Sequence, residues 1–65
     1  MQNFVKKMIT EKTELEGKIK RARAAIENPP FGSTKESIML LGEQIKAMES
    51  YHYWLSERIT YEEKR

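Results

Sequence analysis

The sequence predicts an all-α protein, an antiparallel hairpin of two long helices that assembles into a homo-oligomeric bundle. Three observations carry the prediction. Apolar residues recur in alternating steps of four and three along both halves of the chain. A single proline–glycine punctuation separates the halves. The second half also carries an extra apolar stripe that one neighbouring helix cannot cover.

The first helix is expected over about residues 2–27. Its seam runs Met1, Val5, Met8, Lys12, Leu15, Ile19, Ala22 and Ile26, a heptad-like spacing that keeps one face toward a partner. Lys12 is the charged member, expected to snorkel from the hairpin's open end. The segment ENPPFGSTKE then closes the helix, with a turn over 28–33. Pro29 drives Asn28 out of helical geometry, Pro30 has no N–H to continue the ladder, and Gly32 permits a sharp redirection. Phe31, inside this turn, is expected to cap the hairpin core. Ser33 with Glu36 reads as a capping box that starts a second helix over about 34–62. A connection this short makes the helices antiparallel neighbours, so residues 1–65 form one hairpin domain.

The second helix repeats the pattern in Ile38, Leu41, Ile45, Met48, His52, Leu55 and Ile59. Beside it lies a parallel stripe of Leu40, Gln44, Ala47, Tyr51, Trp54, Arg58 and Tyr61. The consecutive rings Tyr51, His52, Tyr53 and Trp54 cover most of the helix circumference at about 100° per residue. Two stripes require two neighbours, and the hairpin supplies one. Leu40, Gln44, Ala47, Tyr51 and Trp54 are therefore expected at an oligomer interface, with Tyr53 left toward solvent.

Composition narrows the function. A chain of 65 residues without Cys has neither disulfides nor thiolate metal sites, so assembly is the expected source of extra stability. It contains no Asp and one His, which excludes a Ser–His–Asp triad, and it has no glycine-rich phosphate loop. Nothing in the pattern calls for a cofactor or a metal, and the chain reads as a non-enzyme. The net charge of +2 is too mild for general DNA coating. Its distribution is uneven, with seven basic and four acidic side chains over residues 1–27 against five and six over 34–65. Anion binding is therefore expected on the first helix. With no signal-peptide core, and no apolar run near the ~18 residues that a membrane span needs, a cytoplasmic location is expected.

The run KIKRAR supplies Lys18, Lys20, Arg21 and Arg23. These cations either form a solvated face, with Glu14–Lys18 and Glu16–Lys20 pairs one turn apart, or hold phosphates where neighbouring chains exclude water. Lys6 and Lys7 add to the same field from another subunit. Phe4 stands beside the first seam as core, subunit contact or stacking platform. Glu49-x-x-His52 has the spacing of four-helix di-iron sites, but the first seam supplies no bridging glutamate.

The segment LLGEQIKAMESYHYWLSERI resembles the second helix of a phage helical-hairpin family, through Leu40, Leu41, Gln44, Ala47, Met48, Tyr51, Leu55, Arg58 and Ile59. Leu15, Lys18, Ile19 and Ile26 match the family's first helix, while Ala22 and Ala25 are smaller than its usual residues. The likeness covers about residues 15–60. It implies an anti-CBASS or anti-Thoeris sponge, an oligomer that binds cyclic oligonucleotide or ADP-ribose-type signals in the host cytoplasm without cleaving them. By the same resemblance Lys18 and Phe4 are the expected nucleotide contacts; Lys20 and Arg21, from the basic run, and Arg58 are further ligand-binding candidates. Lys20 replaces a polar residue of the family pattern, a change that favours a more highly charged signal. Expected partners are a second copy and the signal, not membrane or DNA. Two other readings stay open on the residues alone, a protein-binding module that inhibits a host protein and a di-metal hairpin.

Overall fold

In a computed structural model, residues 3–65 are described; the expected seam residue Met1 and the expected helix start at Gln2 lie outside them. Two helices account for nearly all of that length, α1 (Asn3–Glu27) and α2 (Lys35–Lys64), and the described residues contain no strand. They pack as an antiparallel hairpin about 48 Å long and 15 Å thick, and α2 runs two residues beyond its expected end.

The helix boundaries follow from local chemistry. Asn28 still donates its N–H to the Ala24 carbonyl at 2.9 Å, after which Pro29 and Pro30 end the ladder. Gly32 reverses the chain at φ +88°, a left-handed conformation that costs a glycine nothing. Ser33 then uses both its N–H and its hydroxyl on the Pro30 carbonyl, at 3.1 and 2.7 Å. This corrects the expected capping box. Thr34, held extended, is the N-cap, and its hydroxyl accepts from the Ser37 N–H at 3.1 Å. Ser33 is spent on closing the turn. Glu36 remains in the first turn of α2, where a carboxylate favours the positive end of the helix dipole.

The expected seams meet along the hairpin. Val5, Met8 and Leu15 of α1 and Ile45, Leu55 and Ile59 of α2 are buried, and the remaining seam residues described are half-buried. Val5, Met8, Leu55 and Ile59 form one cluster near the chain ends, with Ile9 against it. Lys12 is half-buried one helical turn past that cluster, toward the interhelix turn. Ile19, Ala22, Ile26, Leu41 and Met48 keep partial access to water, so packing is tightest at the open end and loosens toward the turn. Phe31 is fully exposed and does not cap the core, because two prolines and the reversal at Gly32 hold it away from both helices.

Candidate functional site

Three cross-helix contacts fix what lies along the two edges of the hairpin. On one edge the Tyr51 hydroxyl donates to the Glu11 carboxylate. On the other, His52 Nε2 lies 2.8 Å from Glu16 Oε2, and Arg23 forms an ion pair with Glu49. Glu16 is thus turned to His52, and neither Glu14–Lys18 nor Glu16–Lys20 forms among the described ion pairs.

The Glu11–Tyr51 contact sets the register. Moving one heptad in opposite senses along antiparallel helices places Lys18 across from Gln44, and Phe4 across from Arg58, on that same edge. The five residues expected to bind ligand are therefore divided. Lys18, Phe4 and Arg58 share the Tyr51 edge, and each is exposed. Lys20 lines a groove of about 460 Å³ on the opposite edge, together with Ile19, Arg23 and His52. Arg21 lies on the outer face of α1, its guanidinium over Gly17, where an added Cβ would meet Nη1 at 3.2 Å.

The two edges differ in which side chains contact a carboxylate. Arg23 is taken by Glu49, and His52 is held by Glu16. Lys18 and Arg58 make no ion pair among the described residues, and neither does Lys20 on the opposite edge. Arg58 is close enough to Tyr51 to oppose the rise in that phenol's pKa, which the Glu11 hydrogen bond, loss of water and the Glu11 charge push above its ordinary value of 10.0. The Tyr51 edge thus carries Arg58 across from Phe4 at one end, the tethered phenol midway and Lys18 at the other, spread over about 21 Å.

The residues expected at an oligomer interface are uncovered in the single chain. Leu40, Tyr51 and Trp54 are exposed, as are Gln44 and Ala47. Tyr53 packs edge-on against Trp54, centroids 4.8 Å apart, and a hydrogen bond to Glu57 raises its phenol above the ordinary value as well. The N-terminal half of the stripe is an open surface of α2 lined by Leu40, Leu41 and Ala47 with Glu36 and Glu43 beside them, and Glu43 is paired with Lys46 at 2.9 Å. Sequence periodicity missed all three cross-helix pairs, Glu11–Tyr51, Glu16–His52 and Arg23–Glu49, since each depends on register between helices. The Glu49-x-x-His52 spacing could have pointed to the last two, because both residues do reach across, though to separate partners.

No group of three or more His, Cys, Asp or Glu side chains that could hold a metal ion occurs among the described residues, and none of the described helices is long and apolar enough to cross a membrane. A family model described as Sequestin matches residues 2–61. No curated protein and no solved structure matches the chain.

Proposed function

The chain belongs to the Sequestin family, in keeping with its resemblance to the phage sponges, and we propose on that premise that it sequesters a nucleotide second messenger of bacterial defence. In this reading it self-associates and holds a cyclic oligonucleotide or ADP-ribose-type signal in the host cytoplasm without cleaving it. The observation that carries the reading is the Tyr51 edge, where neither Lys18 nor Arg58 is held by a carboxylate among the described residues. Arg58 stands there across from Phe4, and Lys18 lies two heptads, about 21 Å, further along α1, so one ligand meets both only where copies of the chain bring them together. On the other edge Arg23 and the His52 ring contact carboxylates, and Lys20 alone does not. A phosphate can meet the free cations without displacing a carboxylate, and charge-assisted bonds of that kind are roughly twice as strong as neutral ones. The flat Phe4 ring offers a base its stacking face. Sequestration needs nothing more than this. It lowers the free signal by mass action, so the site requires affinity and no nucleophile.

Thermal shift against a panel of cyclic dinucleotides, cyclic trinucleotides and ADP-ribose derivatives tests the reading. A true ligand at 100 times its Kd adds about 2.7 kcal/mol of stability. Lys18→Ala is expected to weaken binding by about 1.5–3 kcal/mol, more than Lys20→Ala or Arg21→Ala, while leaving helicity intact. The signal should be recovered whole after the protein is denatured. Recovery of cleaved signal, or wild-type binding by Lys18→Ala, overturns the assignment. A panel without any stabilising member favours a protein-binding role for the uncovered stripe.

A further inference from the structure

An acidic side chain stands in the middle of the edge proposed for the signal. Glu11 joins no ion pair among the described residues, and its Oε2 accepts from the Tyr51 hydroxyl. Phe4 and Lys18 lie one heptad before and after it on α1, about 10.5 Å away each. A carboxylate repels phosphate, so at this place it opposes an anionic ligand unless that ligand brings hydrogen-bond donors to it. The Tyr51 ring beside it is 47% exposed, and among the described residues no other ring packs on it. We infer that Tyr51 and Glu11 form a subsite for a guanine base, with the phenol ring as the stacking face and the Glu11 carboxylate as the reader of the base edge.

The hydrogen bond sets the geometry. It brings the carboxylate to the hydroxyl end of the ring, so a base lying flat on the phenol carries one edge to Glu11. The second carboxylate oxygen is not used by Tyr51, and an ionised carboxylate can only accept. Guanine presents two donors side by side on its Watson–Crick edge, the ring N–H and the amino group. Adenine and cytosine present an amino group next to an acceptor nitrogen, and uracil presents one N–H between two carbonyls. Each of these three turns a lone pair toward Glu11, and a polar group left without its partner costs more than a hydrogen bond gained. Because Tyr51 already restrains the Glu11 side chain and Glu11 the ring, little freedom is lost when the base arrives. The phosphate of a nucleotide seated here lies toward Lys18 or toward Arg58, each one heptad from the Glu11–Tyr51 pair.

This inference rests on the proposed function and narrows its ligand. Cyclic di-GMP and cyclic di-AMP, which differ only in their bases, are titrated by calorimetry into the wild type, Glu11→Gln and Tyr51→Phe, with circular dichroism to check that each variant is folded. The wild type is expected to bind cyclic di-GMP about tenfold or more tighter than cyclic di-AMP, the discrimination that a two-bond base contact gives. Glu11→Gln should shrink that ratio to about threefold or less through lost guanine affinity, because its amide sets a donor against a donor. Tyr51→Phe keeps the ring and releases the carboxylate, so its ratio should fall between the two. A structural role for Glu11 would weaken both ligands by one factor and leave the ratio where it was. That result overturns the subsite, as does a wild type that is indifferent to the base or prefers adenine. Binding of ADP-ribose derivatives alone, whose base is adenine, overturns the subsite while the proposed function stands. A wild type that binds neither cyclic nucleotides nor ADP-ribose derivatives overturns both.

Discussion

Leu55→Ala measures how much the open-end cluster holds the hairpin together. Leu55 is 2% exposed and packs with Val5, Met8 and Ile59. The substitution removes three carbons, which at about 0.8 kcal/mol per buried methylene-sized group amounts to roughly 2.4 kcal/mol. The void adds to this, because a cluster this small has few neighbours able to collapse into it, and the total expected is about 3–4 kcal/mol. A core in a chain of this size supplies on the order of 3–5 kcal/mol, so the isolated variant hairpin should be close to unfolded. Urea unfolding followed by far-ultraviolet circular dichroism, over a dilution series, gives the number. Leu40→Ala is the control, since Leu40 is 55% exposed on the other face of α2. Its cost should vanish toward high dilution, where copies separate, whereas the Leu55→Ala cost should persist at every concentration. Equal costs for the two variants in the dilute limit would refute the placement of the core.

The other expectations concern the cap, the charged seam position and the phenols. Thr34→Ala should cost about 1 kcal/mol in urea unfolding, and Ser33→Ala less, because Thr34 alone caps α2; a larger loss at Ser33 would restore the capping box read from sequence. Lys12→Leu fills a half-buried seam position below the cluster and should stabilise the hairpin by about 1 kcal/mol; a loss of stability would show that the lysine stem already packs there optimally. Tyr51 and Tyr53 have folded-state pKa values above the ordinary 10.0. Their contribution is therefore complete below the ordinary value and is lost as pH rises through the raised ones. Tyrosinate absorbance should show late ionisation that Tyr51→Phe partly removes, and an unchanged titration curve in that variant would rule out the Glu11 tether.

Much of the fold is legible in the sequence because a seam is a one-dimensional signal. Steps of four and three identify which residues of a helix share a face, and each described seam residue is indeed buried or half-buried. What sequence does not encode directly is the relation between helices. His52 is a seam residue on any reading, yet its contact with Glu16 follows from an offset that only the packed pair defines. Adjacent hydroxyls pose a different problem. Ser33 and Thr34 are chemically equivalent as caps, and the reversal at Gly32 decides between them by turning Ser33 back onto Pro30. Phe31 misleads through its apolarity, because burial depends on whether the backbone can reach a neighbour. In the site, the basic run and its spread over more than one helix face are visible at once, since Lys18 and Lys20 stand about 200° apart on the helix, but which residues of α2 each of them meets is defined only by the packed pair.

The buried cluster at the open end has a kinetic meaning. Its members come from opposite ends of the chain, whereas the connection that brings the helices together is at the other extremity of the rod. Closure can therefore spread from the turn through short loops, each step adding little ordering entropy, while the best-packed contacts form last. Such contacts are weak in the transition state, so strengthening them slows opening far more than it speeds closing. The hairpin works as a zipper whose latch is at the free end. Its lifetime as a folded chain is set by Val5, Met8, Leu55 and Ile59, and its rate of formation by the reversal around Gly32.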